Sequence, residues 1–182
     1  MRVVDGTGLA RWLGQRTILF WGDSLTGQQF YSLVFLLGSA VDALHDVPNG
    51  NLSAVLRGSA SSSAEHLPNG PRPNPLCSES STKIGDEGGP LSVAMLRGGG
   101  RLIKVLGHAE MIEQAKHAAG AWWLGLWQQA DIVVFNVGHH FRNIDGSFRK
   151  LAAEGANSLA KHSKPGARII FRTSNVGHFK LR

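Results

Sequence analysis

The sequence contains a single cysteine, Cys77, in 182 residues. One thiol cannot form an internal disulfide, and its Pro/Ser-rich surroundings suit neither a catalytic thiol nor a metal ligand. The sequence also has no run of eighteen apolar residues and no signal-peptide pattern. We therefore expect no membrane segment in this chain, and either an intracellular protein or a targeting region outside this sequence.

Features typical of nucleotide and nucleic-acid binding are also missing. No run of Lys/Arg resembles a nucleic-acid patch, and no Gly-x-Gly-x-x-Gly or Gly-Lys-Ser/Thr cradle follows the first predicted strand. The net charge is nevertheless +6, and residues 91–182 carry 13 Lys/Arg against five Asp/Glu. This basic half favours either an anionic partner or charges scattered over solvated faces. We expect no nucleic-acid partner.

The composition is that of a globular domain. Hydrophobic residues make up 42% and charged residues 18% of the chain, and 23 glycines suit frequent strand-to-helix turns. At this length we predict one domain over residues 1–182. Six of the seven prolines lie in 45–90, which we interpret as a long loop-rich excursion.

Hydrophobic patterning predicts strands that alternate with helices. Short apolar runs at 17–21, 132–135 and 168–172 are typical of buried parallel strands. Apolar residues at i, i+3, i+4 and i+7 from Phe30 predict a helix that ends near Gly38. This alternation predicts an α/β fold, with a parallel sheet and helices on both faces.

The pattern in two further segments, 91–106 and 109–128, is less regular. Residues 91–96 and 102–106 flank a glycine turn and favour a hairpin or a loose turn between strands. A helix is predicted over 109–128. Its three tryptophans suit either core packing or a sugar-binding platform, and core packing is the favoured role; they are Trp122, Trp123 and Trp127.

Polar residues follow the first two buried strands, with Asp23-Ser24 after one and Asn136 after the next. Because parallel strands end at one edge of a sheet, these groups can converge. Ser24 would then be a nucleophile, and its own N–H and the Asn136 carboxamide would bind an oxyanion. The alternative is structural, since Asp-Ser after a strand is often only a helix N-cap. Asn136 alone could likewise cap a loop.

Histidines near the strand ends are candidate bases or substrate contacts. His139 and His140 come soon after the second strand, and His178 follows the third. Each can also be an ordinary surface residue. No metal site and no cofactor are predicted.

The order of these blocks resembles the SGNH (GDSL-type) hydrolases. The closer match is to their PC-esterase branch, which includes the trichome-birefringence-like polysaccharide O-acetyltransferases. The resemblance covers about 17–38 and 130–178. Its blocks are Trp21-Gly22-Asp23-Ser24-Leu25, Ser32-Leu33, Asp131 through Asn136 to Gly138-His139, and Arg172-Thr173 with His178.

The resemblance implies a flavodoxin-like, three-layer αβα sandwich with a mostly parallel sheet, incomplete at its carboxyl end. It implies serine chemistry on acetyl esters of polysaccharides, by transfer or hydrolysis, in the Golgi lumen. Ser24, Asn136 and His139 would be catalytic. A second group would bind the glycan or acyl-ester substrate: Asp23, Gly138, His140, Arg172 and His178.

Two departures from the family pattern keep rival functions open. Gly27 stands where the family often has arginine, and no Asp-x-x-His follows the Arg172-Thr173 block, where the family has it; the sequence has this spacing only at Asp42-Ala43-Leu44-His45, far earlier. Without a base, a serine hydroxyl is a poor nucleophile. The alternatives are therefore a catalytically inactive glycan-binding module and, ranked last, a flavodoxin-like phosphate or nucleotide binder. The oligomeric state is left open.

Overall fold

The computed structural model describes residues 5–47, 91–107, 123–136 and 146–172. These residues form six strands and four α-helices, with one turn of 3-10 helix at Gly38–Ala40. In chain order they are α1 (Gly6–Leu13), β1 (Thr17–Gly22), α2 (Ser24–Leu37), β2 (Val41–Val47), β3 (Leu91–Leu96), β4 (Arg101–Leu106), α3 (Leu124–Gln129), β5 (Ile132–Asn136), α4 (Gly146–His162) and β6 (Arg168–Phe171).

The six strands form one mixed sheet in the order β2-β3-β4-β1-β5-β6. β4, β1, β5 and β6 run parallel to one another, whereas β2–β3 and β3–β4 are antiparallel. The prediction of an α/β class is confirmed, and the segments at 91–96 and 102–106 do form a hairpin. Three of the five strand pairs are parallel, so the sheet is mostly parallel.

β1 is central in the sheet, and all six of its residues are buried. It pairs with β4 on one side and β5 on the other. Because successive side chains point to opposite faces, Ile18 and Phe20 face one side of the sheet, and Leu19 and Trp21 face the other. A continuous apolar run is what a strand covered on both faces requires.

Helices pack against both faces. One apolar cluster joins Ile18 and Phe20 to residues of α1 and α2, including Leu13 and Phe30. The other joins β1 and β5 side chains to residues of α3 and α4, including Leu159. The helices on both faces that the sequence predicted are therefore present in the described residues.

Two of the predicted tryptophans lie in the second cluster. Trp123 and Trp127 are buried and pack against Trp21, with ring centroids 5.3 and 5.4 Å away. The Trp127 indole N–H donates to the carbonyl of Leu159, 2.8 Å away. Core packing is therefore confirmed for these two, because no buried ring can form a sugar platform. Trp122 lies outside the described residues.

Two elements differ from the sequence prediction. β2 runs through Val47, so the excursion predicted to begin at about residue 45 begins no earlier than residue 48. Residues 48–90 lie outside the described part. α1 was not predicted; its N-cap is Asp5, whose carboxylate accepts from the Thr7 N–H at 3.0 Å. No helix in the described ranges is both long and apolar enough to span a bilayer.

Candidate functional site

The carboxyl ends of β1, β5 and β6 lie side by side at one edge of the sheet. Gly22 at the end of β1 pairs with Asn136 at the end of β5, and Phe135 pairs with Phe171 of β6. Arg172 follows β6, and its N–H donates to the carbonyl of Phe135 at 2.8 Å. The structure thus brings together the ends of the three strands that carry the predicted site residues.

The turn after β1 lies directly against Asn136. The Asp23 N–H donates to the Asn136 carbonyl at 3.2 Å. A Cβ on Gly22 would lie 1.7 Å from that same carbonyl oxygen and 2.7 Å from the Thr26 hydroxyl. Only glycine fits this close approach, so the Gly-Asp-Ser sequence is coupled to the end of β5 through the backbone.

Asp23 is the N-cap of α2, as the structural alternative predicted. Its carboxylate accepts from the Leu25 N–H at 3.0 Å, and its carbonyl accepts from the N–H groups of Thr26 and Gly27. These bonds use three donors of the first turn. Among the described residues, the Ser24 N–H has no hydrogen bond, which leaves it able to bind a negatively charged oxygen at the positive end of the helix.

Ser24 and Asn136 differ in their exposure. Ser24 is exposed, so its hydroxyl is accessible to a substrate. Asn136 is fully buried beneath the turn that carries Ser24. The exposed hydroxyl and the helix N-terminus therefore form the outer surface of the site, and Asn136 forms its floor.

A groove of about 730 Å³ runs from this edge along α2. Its apolar wall includes Leu25, Leu33 and Ile170. Its polar residues are Gln28, Gln29, Ser32 and Arg172. Arg172 Nη1 donates to the Leu25 carbonyl at 3.5 Å. In the described part of the chain no carboxylate lies within ion-pair distance of Arg172, so its charge faces the groove.

Sequence reasoning did not assign three polar residues of this region. Gln28 and Gln29 line the groove, one helical turn after Ser24. Thr26 is fully buried next to Gly22, and its hydroxyl has no hydrogen-bond partner in the ranges that the structure describes. Their spacing of i+2 to i+5 from Ser24 places them in the first turns of α2, and that spacing was the available signal.

The other predicted site residues lie outside the described residues: Gly138, His139, His140 and His178. The described histidines are His45, on β2 three strands from β1, and His162, at the end of α4. Neither follows the end of β1, β5 or β6 where Ser24 lies. The described ranges also contain no group of three His, Cys, Asp or Glu side chains suited to a metal ion.

Comparisons with protein-family models, curated proteins and solved structures find no match to this chain.

Proposed function

We propose that this chain is an SGNH-type domain that acts as an O-acyl (acetyl) esterase or acetyltransferase on a polysaccharide, with Ser24 as the nucleophile. The observation that carries the proposal is the coupling of Gly22-Asp23-Ser24 to Asn136 at one sheet edge, with Ser24 exposed at a helix N-terminus. The helices on both faces support a three-layer sandwich of the flavodoxin type.

In the proposed reaction the Ser24 oxygen attacks the acyl carbonyl and its proton passes to a base. The resulting oxyanion accepts from the Ser24 N–H, and the Asn136 carboxamide serves as the second donor or supports that turn from below. Collapse of the intermediate expels the sugar oxygen, which takes up the proton from the base. Water or a second sugar hydroxyl then attacks the acyl-serine and releases the acyl group.

His139 is the base within this chain that we propose, because it comes three residues after Asn136 and therefore close to the same strand end. Arg172, which faces the groove, is proposed to bind the substrate. One such oxyanion donor is worth roughly 3 kcal/mol of transition-state stabilisation, so the helix N-terminus alone cannot replace the base.

A fluorophosphonate probe tests the nucleophile. We expect the intact protein to be labelled at Ser24, and Ser24→Ala to lose the label and the release of acetate from an acetylated polysaccharide. The matched control is Ser39→Ala, an exposed serine beyond the other end of α2 that should label like the wild type. No label on the folded wild-type protein would contradict the proposal.

A glycan-binding module without catalysis is the second candidate. The observation in its favour is the position of the sequence's Asp-x-x-His, Asp42 to His45. It lies on β2, three strands from β1, and not after Arg172-Thr173, where the family has the block that supplies its acid and base. Binding of the polysaccharide that survives Ser24→Ala, with no labelling of the wild type, would support this function. Loss of labelling and of acetate release in Ser24→Ala, with binding intact, would support the enzyme.

A further inference from the structure

The amino ends of the parallel strands lie at the opposite end of the sheet from Ser24, and their charged side chains are mostly cations. Arg101 and Arg168 begin β4 and β6, and Arg16 directly precedes β1. Backbone hydrogen bonds link these strand starts, because the Arg101 N–H donates to the Arg16 carbonyl at 3.0 Å and the Arg168 N–H donates to the Asp131 backbone carbonyl at 2.9 Å. Adjacent strands lie about 4.8 Å apart. In the strand order β4-β1-β5-β6, Arg101 and Arg16 are neighbours, and Asp131, before β5, lies between Arg16 and Arg168.

A second groove, of about 540 Å³, opens at this edge. Its cations are Arg11, Arg16 and Lys164, and its only acidic side chain among the described residues is Asp131. Lys164 pairs with Asp131 and so neutralises it. Arg11 and Arg16 are exposed, and in the described ranges neither forms an ion pair with a carboxylate, so the groove has a net positive charge.

The groove also presents an exposed indole. Trp12 is 57% exposed, although tryptophan is normally a core residue. Arg16 holds it in place, since the guanidinium lies 5.3 Å from the centre of the ring and Nη1 donates to the Trp12 carbonyl at 2.6 Å. The ring and the cation therefore form one preformed unit, which needs little ordering when a ligand binds.

Asp131 helps to identify the ligand. Burial acts to raise the pKa of this carboxyl, but hydrogen bonds from Lys164 and the Thr17 N–H, with the charges of Lys164 and Arg16, bring the pKa below its ordinary value. At neutral pH the groove thus contains a carboxylate beside the Gln15 amide and the cations. Sugar hydroxyls both donate and accept hydrogen bonds, which suits this mixture of groups.

Single-stranded nucleic acids require several aromatic side chains in succession, because consecutive bases stack on them. Trp12 is the only aromatic side chain that lines this groove among the described residues. One aromatic ring with flanking cations and hydrogen-bonding groups instead matches one sugar ring that carries an acidic group.

We propose that this groove binds an acidic polysaccharide, with a sugar ring stacked on Trp12 and its carboxylates or sulfates paired with Arg11 and Arg16. The site is independent of Ser24 chemistry, since β1 separates the two edges by about 17 Å. If the Ser24 site acts on a polysaccharide, the groove would hold a second segment of the chain.

Calorimetric titration of the intact protein with polygalacturonate tests the proposal. We expect binding that weakens between about 0.05 M and about 0.5 M salt, and no binding of neutral dextran. Trp12→Ala should weaken binding about tenfold, and Arg11→Gln about two- to fivefold. Ser24→Ala should leave the affinity unchanged, so a failure of the proposed enzyme activity is distinguishable from a failure of this site.

Two matched controls separate the groove from general surface effects. Phe35→Ala removes another exposed aromatic ring, 80% exposed on α2, and Lys150→Gln removes an exposed charge on α4. Both should bind polygalacturonate like the wild type. The proposal is overturned if Phe35→Ala weakens binding as much as Trp12→Ala, if polygalacturonate does not bind, or if poly(U) or phosphatidylserine vesicles bind more tightly.

Discussion

Gly22 and Asn136 are paired across β1 and β5 so closely that the carbonyl oxygen of Asn136 occupies the space of a side chain at position 22. A Cβ there would lie 1.7 Å from that oxygen, and the φ of Gly22 is 153°. This backbone contact sets how closely the turn that carries Ser24 approaches the end of β5.

Gly22→Ala should destabilise the protein by roughly 3 kcal/mol or more, because β1 and β5 would have to separate at their ends. Urea unfolding followed by circular dichroism measures the change. The matched control is Gly38→Ala, where φ is also positive but no atom lies within 4 Å of the new Cβ. That variant should lose only about 1 kcal/mol from backbone strain. Equal losses in the two variants would contradict the close contact.

Asp23→Ala should lower the free energy of unfolding by about 1 kcal/mol, since it removes the acceptor for the Leu25 N–H at the start of α2. Asp23→Asn keeps a side-chain oxygen at the same place and should stay within a few tenths of a kcal/mol of the wild type. Thermal unfolding compares the three proteins. If the alanine variant is as stable as the wild type, Asp23 does not act as the cap.

Asp131→Asn should destabilise the protein at neutral pH by about 1–2 kcal/mol, because the asparagine cannot pair with Lys164. The folded-state pKa of Asp131 is depressed, so its contribution is present above the unfolded-state value, for which 3.8 is the reference, and is lost as the pH falls through the folded value. The difference between variant and wild type should therefore shrink in acid. Urea unfolding at several pH values checks this, and a constant difference would contradict it.

Lys104 is buried beneath α2, and its ammonium donates to the Tyr31 hydroxyl at 3.0 Å and lies 4.7 Å from the centre of that ring. Tyr31→Phe keeps the ring but removes the oxygen, so we expect a loss of about 1–2 kcal/mol. Lys104→Met should cost less than about 1 kcal/mol, since it removes the buried charge as well.

A double-mutant cycle separates the two contributions. In the Lys104→Met background, Tyr31→Phe should cost much less than it does in the wild type. If the cost is the same in both backgrounds, the hydrogen bond is not the source of the effect.

Much of the fold follows from local sequence pattern. The apolar run at 17–21, the helix period from Phe30 and the stop at Gly38 predicted β1 and α2, because a strand buried on both faces and an amphipathic helix each have a distinct hydrophobic pattern. β2 was missed because two aspartates interrupt its pattern, Asp42 and Asp46, as is common in an edge strand. α1 was missed because its eight residues include two glycines.

The sequence also predicted that Ser24 and Asn136 lie near each other, for a related reason. Ser24 and Asn136 each follow a strongly apolar strand, and parallel strands bring such residues to one edge. The groove residues Gln28 and Gln29 were not assigned. Their spacing from Ser24 places them in the first turns of α2, but whether they line a groove depends on what packs around the helix.

The sequence by itself determined β1, α2, β5 and β6 and which residues follow the strand ends, because hydrophobic period and turn chemistry are local properties. Only the tertiary structure decided how closely Gly22 approaches Asn136, and that Arg11, Trp12 and Lys164 share one groove. These residues are up to 153 positions apart in the chain, and their proximity depends on strand order and register, which no local pattern encodes.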